Sequence, residues 1–338
     1  MKIVMKGLVV ALALALSAGS VFAGGGQQGG ASGAGGKVVV TFAGTEAATT
    51  GQSRMMQAVA DKLNASGRFQ ANVLVNGALA PDTDALVTQA KMGVPLVIPS
   101  DPGRLASQFN IPDLNILMAP YVLTDPSVLA KLPDTALFKD WTAQLESQGV
   151  SFVADMYNGF RSFYTAVPVK QVSDLSGLRI RGFGNNIGNA LAKYFGFANI
   201  GITWGEVFPG IQQKTLDGCE VQVATAFGSA IYEVAKNLAL TKHYMLQSSF
   251  VCSTTLLSGM SADDRAFFLK TIRETAVEYG AIVQQEEQGY YDQMKEKGVT
   301  ITEVNLADWQ KAIQPLYDNN DLKFSDGLKD KLLGQLGL

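Results

Sequence analysis

The sequence predicts an α/β fold divided into two lobes, with one long helix running across both. Three observations carry that prediction. Short apolar and β-branched runs alternate with segments of helical spacing over the first half of the chain, the order that builds βαβ units and a largely parallel sheet. A helical apolar repeat then runs from Ala262 to Gly298 without a break, which at 1.5 Å per residue spans roughly 50 Å and exceeds one lobe. Finally, 47% of the residues are apolar, and about 300 residues remain after a leader, enough to bury two linked cores.

The leader comes first. Lys2 and Lys6 form a basic region, residues 8–16 a short apolar run, and Val21-Phe22-Ala23 a small-residue cleavage site, so residues 1–23 read as a signal peptide. The apolar run falls short of the roughly 20 residues that span a bilayer, and no cysteine stands near the cleavage site to carry a lipid. Residues 24–36 are Gly, Gln, Ser and Ala alone and read as a flexible linker. Losing Lys2 and Lys6 takes the formal net charge from −3 to −5, a balance that argues against nucleic acid or anionic membrane as partner. The two cysteines, Cys219 and Cys252, leave one disulfide open as an option; neither C-x-x-C nor a histidine cluster is present, so no metal and no cofactor are expected.

Residues 37–43 read as a first strand buried on both faces, and 53–64 as a helix with Met56, Val59, Ala60 and Leu63 on one stripe. The loop between them, 44–51, carries Thr45 and Glu46 at the carboxyl end of its strand, the usual ligand position in open α/β sheets. A strand at 69–75, a helix at 81–92 and a strand at 94–99 follow, and Asp101-Pro102-Gly103 then reads as a turn. Residues 131–145 form an amphipathic helix with Leu137, Trp141 and Leu145 inward, and 149–154 another strand. A further strand starts at Arg161 and is closed by Pro168.

After a turn at 172–177, Leu178-Arg179-Ile180-Arg181 alternates apolar and basic residues, and Gly182 and Gly184 precede a helix at 188–195. Strand, Gly-rich turn and helix N-terminus together favour an anion. Glu206 suits the N-terminal dipole of a helix at 206–214. The one histidine, His243, has no nucleophile or acid at a motif spacing and reads as structural, and G-x-S-x-G and the P-loop are absent. In the long helix, Ser261 and Asp264 form a capping box variant, Phe268, Ile272, Ala276, Tyr279, Val283, Tyr290 and Met294 make the apolar stripe, and Glu286-Glu287 read as solvated. Helices at 306–317 and 324–336 close the chain.

The run NGFRSFYTAVPVKQVSDLSGLRIR at 158–181 resembles the signature region of the solute-binding receptors of TRAP transporters, the DctP family: a strand arginine, then D-L-x-G-L-R-I-R, whose last arginine clamps the ligand carboxylate. Residues 112–123 resemble that family's P-E-L-x-V-L-x-L-P-Y-L stretch, 204–208 its E-V-Y element and 216–220 its L-x-x-G-x-x-D-G-x-E-N element. The resemblance covers nearly the whole mature chain. It implies a two-lobed periplasmic binding protein of type II-like fold, with residues 37–158 and about 247–286 as one lobe and 159–246 and about 287–338 as the other.

The resemblance further implies a periplasmic receptor that takes a small organic acid into the interlobe cleft and passes it to the small and large membrane subunits of a TRAP permease. Arg181 would pair with the carboxylate, Arg161 would support it, Trp204 would stack under the acid, and Asp101 would face the cleft, a role that stands beside its turn reading. Two departures bear on the ligand. Val221 stands where the family commonly has Asn, and Gly182-Phe183-Gly184 replaces V-P-x, so that either a less polar ligand is taken or Asn185 and Asn186 supply the missing contacts. Two other readings remain: a receptor for an apolar or amino-acid-like ligand, or one feeding a sensor; and an extracytoplasmic enzyme, for which Asp101 and Glu220 are the acids on offer, neither with an evident His partner.

Overall fold

The computed structural model describes residues 36–338; the leader and linker expectations lie outside the described residues. Strand β1 (Val38–Ala43) pairs in parallel with β2 (Phe69–Leu74) and β3 (Leu96–Ser100). Helices α1 (Gly51–Ala65) and α2 (Thr83–Lys91) make the crossovers. Asp82 caps α2 by accepting from Ala85 N at 2.7 Å. Asp101 does the same for α3 (Pro102–Phe109), accepting from Arg104 N at 2.9 Å with Pro102 in the first turn, and Asn110 ends that helix at φ 54°.

A 3-10 stretch (Pro112–Met118) leads on to α4 (Ala136–Ser147), which buries Phe138, Trp141 and Leu145; Phe138, rather than Leu137, completes the stripe because the helix starts at its Thr135 cap. The strands expected at 149–154 and from Arg161 are one strand, β4 (Val150–Thr165), so Arg161 lies well inside it. There follow β5 (Arg179–Arg181), α5 (Asn186–Phe195), β6 (Ala198–Asn199), α6 (Val207–Gln212), β7 (Gly218–Gln222), α7 (Val223–Gly228) and α8 (Ile231–Val234). Strand β8 (Asn237–Ser253) then runs antiparallel to β4 along nearly its whole length, from Val150↔Ser253 to Thr165↔Asn237. The chain ends with α9 (Thr254–Ser258), α10 (Ala262–Glu296), β9 (Thr300–Glu303), α11 (Leu306–Asp318) and α12 (Leu328–Leu336).

The sheet runs β2-β1-β3-β8-β4-β7-β5-β6, with β9 beside β8. It is mixed, not largely parallel, because β4 and β8 at its centre run antiparallel to each other and to their neighbours β7 and β3. One half of β8 carries the β1–β3 block and the other half carries β9, while β7 joins the far half of β4. The ladder slips between Tyr157 and Phe160, where Gly159 holds φ 103°; a Cβ there would meet Gln222 Cβ at 2.9 Å, so the bend needs glycine.

Buried apolar residues form three clusters. The first gathers β1–β3, α1–α4, the start of β4 and the end of β8, and is closed by Leu328, Leu332 and Leu336 of α12. The second lies among α5, α11 and the far half of β4, and the third under α6–α8 and β7. Helix α10 feeds Phe268, Ile272, Ala276 and Val283 to the first, and Tyr291 and Met294 to the third. At 1.5 Å per residue its 35 residues extend about 52 Å. Glu286 and Glu287, expected to be solvated, are engaged: Arg54 donates to both oxygens of Glu286 at 2.9 and 2.6 Å, and Tyr157 Oη donates to Glu287 at 2.7 Å. Both cysteines are buried as free thiols, Cys219 in β7 and Cys252 in β8, so the optional disulfide is not formed.

Candidate functional site

The site grows from the register of β4 on β7. Phe163 lies opposite Glu220 and Arg161 opposite Gln222, which brings the Arg161 guanidinium onto the Glu220 side chain. Nε donates to Oε2 at 2.5 Å and Nη2 to Oε1 at 2.8 Å, Nη2 also reaches the Glu220 carbonyl, and Nη1 reaches Gln222 Oε1 at 3.3 Å. Both side chains are at most 3% exposed. Burial, the largest single influence, would raise the Glu220 pKa, but the Arg161 charge and the hydrogen bonds from His243 and Arg161 together outweigh it and hold the carboxyl below its ordinary range, ionised.

His243 Nε2 lies 3.3 Å from Glu220 Oε2, and its Nδ1 lies 2.8 Å from Thr241 Oγ1. Burial lowers the His243 pKa despite that carboxylate, so the ring is neutral. An ionised Glu220 only accepts, which puts the ring proton on Nε2 and makes Thr241 the donor to Nδ1. Glu220 therefore does have a His partner, which sequence spacing had hidden, since β8 brings it back across the sheet. The pair is sealed: His243 stacks on Phe163 at 4.8 Å, has no exposed surface, and has its charge partner already neutralised by Arg161.

Past β5, the Gly182-Phe183-Gly184 turn folds Phe183 over this network. The Arg161 guanidinium lies 4.3 Å from the Phe183 ring centroid, that of Arg104 5.8 Å and that of Arg181 5.9 Å. Three cations thus surround one aromatic ring. Two are neutralised: Arg161 by Glu220, and Arg104 by Asp101 at 2.9 Å and Asp84 at 3.3 Å. Among the described residues, Arg181 has no acidic partner within 4 Å; its hydrogen bond is a long one, from Nε to the Ile202 carbonyl at 3.5 Å. Burial, reinforced by the charge of Arg161, lowers its pKa. It is a largely buried cation with no acid beside it among the described residues. Trp204 sits beside it, 5.2 Å from guanidinium to ring, fixed by its Nε1 donating to Ser229 Oγ at 2.9 Å. Glu206 fills the capping role expected of it, its Oε2 accepting from Thr203 N at 3.0 Å.

Asn185 caps α5 by accepting from Gly188 N at 3.0 Å, which leaves its Nδ2 buried without a partner. That nitrogen is 2.9 Å from where a Cβ on Gly103 would stand, so the Asn185 cap of α5 packs against the start of α3. Asp101 takes the turn role weighed for it, as the cap of α3, and it is 6% exposed, with burial raising its pKa against the pull of Arg104. Thr45 lies on the loop after β1, its hydroxyl 3.5 Å from that of Thr83. Val221 is buried in the apolar cluster against which Trp204 packs. Two further groups belong here. Tyr244, whose ring lies 5.7 Å from the Arg161 guanidinium, has a buried hydroxyl without a partner, and so has one oxygen of Glu46. The sequence offered a signal for Glu46, its place at a strand end, and none for Tyr244. Among the described residues no group of His, Cys, Asp and Glu could hold a metal, and no helix is long and apolar enough to cross a membrane.

Comparison with known proteins identifies the family and the fold. The family described as bacterial extracellular solute-binding protein, family 7, matches residues 42–322. The 2,3-diketo-L-gulonate-binding periplasmic protein YiaO of Escherichia coli (strain K12) is 29% identical over 191 residues, which are 56% of this chain and 58% of that relative's length. A TRAP periplasmic solute binding protein of Actinobacillus succinogenes 130Z, solved with bound L-galactonate, superimposes with a TM-score of 0.82 at 25% identity, over 88% of this chain and 99% of its own. One from Ochrobacterium anthropi, solved with bound L-fuconate, gives 0.80 at 25% identity over 89% and 100%. The α/β fold described above is thus that of two-lobed periplasmic binding proteins.

Proposed function

Since the chain belongs to the bacterial extracellular solute-binding proteins of family 7, a family of solute-binding receptors, we propose that it captures a small carboxylate between its lobes with Arg181 as the clamp. The observation that carries this reading is a charge balance: among the described residues Arg161 and Arg104 have acidic partners, and Arg181 has none. A carboxylate accepts two parallel N–H bonds from a guanidinium, a charge-assisted pair that is strong where water is excluded. The Arg161–Glu220–His243 network supports the clamp from behind rather than touching the ligand, and Trp204 lies along it. The relatives solved with L-galactonate and L-fuconate, both sugar acids, support a carboxylate ligand here.

Closure takes place between a lobe of residues 37–158 and about 247–286 and a lobe of residues 159–246 and about 287–338, the last helix reaching back onto the first core. In the periplasm, after cleavage near Ala23, the closed receptor delivers its ligand to the small and large membrane subunits of a TRAP permease. Binding without turnover is the expected behaviour, because the one buried acid–histidine pair is sealed and already neutralised.

A thermal-shift screen of residues 24–338 against small carboxylates, with Arg181→Ala in parallel, tests this. A ligand at 100 times its Kd stabilises by about 2.7 kcal/mol, a shift of several degrees. Truncating Arg181 leaves a buried carboxylate unpaired, about 3–5 kcal/mol, or at least a hundredfold in affinity. An acid that shifts both proteins equally would refute the clamp.

A further inference from the structure

Strands β4 and β8 and helix α10 each run from the first buried cluster into the others, and two of them are tied together at the crossing. In β4, Met156 and Tyr157 belong to the first cluster, Phe163 to the second and Tyr164 to the third. In α10 the change falls between Val283 and Tyr291. Glu287 stands inside that interval. Its Oε1 accepts from the Tyr157 hydroxyl at 2.7 Å, and the same oxygen is 3.2 Å from where a Cβ on Gly159 would stand. The helix carboxyl therefore occupies the space that glycine leaves over the slip in the β4–β8 ladder, between Tyr157 and Phe160. Gln222 flanks the same point, its Cβ at 2.9 Å, and its Oε1 accepts from Arg161 Nη1 at 3.3 Å. The bend is thus enclosed between α10 and the strand that holds Arg161. One position back, the two bonds from Arg54 to Glu286 fix the same turn of α10 onto α1.

A bulged strand bends at the bulge, and a hinge concentrates its φ/ψ change in a few residues. Gly159 at positive φ has the freedom to be one of them. Without contacts, such a bend would leave loosely aimed both Arg161 on the far half of β4 and Arg181 on β5, which β7 joins to β4. We propose that Glu287 is a positioning residue for ligand capture: by holding Tyr157 and covering Gly159 it sets the bend of β4, and with it the angle at which Arg161 and Arg181 face the opposite lobe. This rests on the lobe closure proposed above. It needs an acceptor oxygen at Glu287 and no particular charge there.

The test reads lobe geometry directly. Ser107→Cys and Asn189→Cys place nitroxide labels on two exposed positions that line one gap between α3 and α5, while the native thiols are buried. Distance distributions are measured by pulsed electron resonance on residues 24–338 as otherwise wild type, Glu287→Ala, Glu287→Gln and Tyr157→Phe, each first checked for cooperative melting. The otherwise wild-type protein should give a narrow distribution. Glu287→Ala should make it about twice as broad, Tyr157→Phe should broaden it less, and Glu287→Gln, which keeps the acceptor, should retain the original width. Tyr157→Phe removes a single oxygen and carries the test alone if Glu287→Ala does not melt cooperatively. Equal widths, even where the melting point falls, would make Glu287 a stabilising residue only and overturn the inference, as would a Glu287→Gln distribution as broad as that of Glu287→Ala. If no acid of the thermal-shift panel moves the wild-type distance, the closure reading falls and takes this inference with it; if one does and the widths are equal, the Glu287 assignment falls alone.

Discussion

Replacing Glu220 by Gln isolates the charge of the Arg161 network with little change of shape. Gln keeps an acceptor for Arg161, so what is lost is the negative charge beside a guanidinium that is 3% exposed. Breaking a buried pair on one side costs about 3–5 kcal/mol. The carboxyl points the same way: its pKa is held below the ordinary value of 4.5 in the fold, so its ionised form stabilises the fold at neutral pH. The sign follows from a depressed pKa. The contribution is present above the unfolded value of 4.5 and is lost as the pH falls towards 2. Urea unfolding at pH 7 should therefore show Glu220→Gln destabilised by about 3 kcal/mol, with the gap narrowing between pH 5 and pH 3. The double variant Arg161→Met, Glu220→Leu should recover much of the loss, because two apolar side chains leave no charge stranded. A single variant within about 1 kcal/mol of wild type at pH 7, or a gap that does not depend on pH, would refute the buried-pair argument.

Four further outcomes follow from the same geometry. Asp155, whose carboxyl is pushed up to about 7 by burial despite the Ser249 hydroxyl at 2.5 Å, favours its neutral form in the fold, so its contribution is full below about pH 4 and lost as the pH rises through 7; Asp155→Asn should melt higher than wild type at pH 8 and show a smaller gain at pH 5. Trp204→Ala removes the ring 5.2 Å from the Arg181 guanidinium and should weaken ligand binding by roughly 0.5–2 kcal/mol, about 2- to 30-fold by calorimetry. Gly103→Ala puts a methyl 2.9 Å from Asn185 Nδ2; overpacking of about 1–3 kcal/mol against closure should cost roughly tenfold in affinity while the unliganded melting point moves little. Cys219 and Cys252 are buried thiols raised to about 12 by burial, so iodoacetamide at pH 8 should label neither until the protein unfolds.

Much of the scaffold could be read from local pattern. The long helix declared itself through an unbroken apolar repeat and a Ser261 cap, and α10 has both. The anion-favouring turn was equally visible, because Arg181, the glycines and the α5 N-terminus are neighbours in sequence. The sheet was misjudged for a physical reason. Strand-helix alternation reports how the outer strands are joined, and it is silent about β4 and β8, which run antiparallel through the middle and are joined across 71 residues by everything between Asn237 and Ala166. Local runs of β-branched residues therefore looked like two strands where β4 is one, since the bulge at Gly159 interrupts the alternation without ending the pairing.

The partner of Arg161 was hidden for the same reason, and it decides how the site works. Glu220 lies 59 residues away in sequence, and no spacing rule connects them; the β4–β7 register does, by setting Phe163 opposite Glu220. Read from sequence, both arginines looked available to a ligand. In the fold, Arg161 spends its charge on Glu220, and Arg104 spends its own on Asp101 and Asp84. What remains is one guanidinium with a long hydrogen bond and, among the described residues, no acid within 4 Å, flanked by Phe183 and Trp204. Two free arginines would call for a ligand of two negative charges. One matches the single carboxylate proposed above, and that difference is what mono- and dicarboxylates compared in the thermal-shift screen would measure.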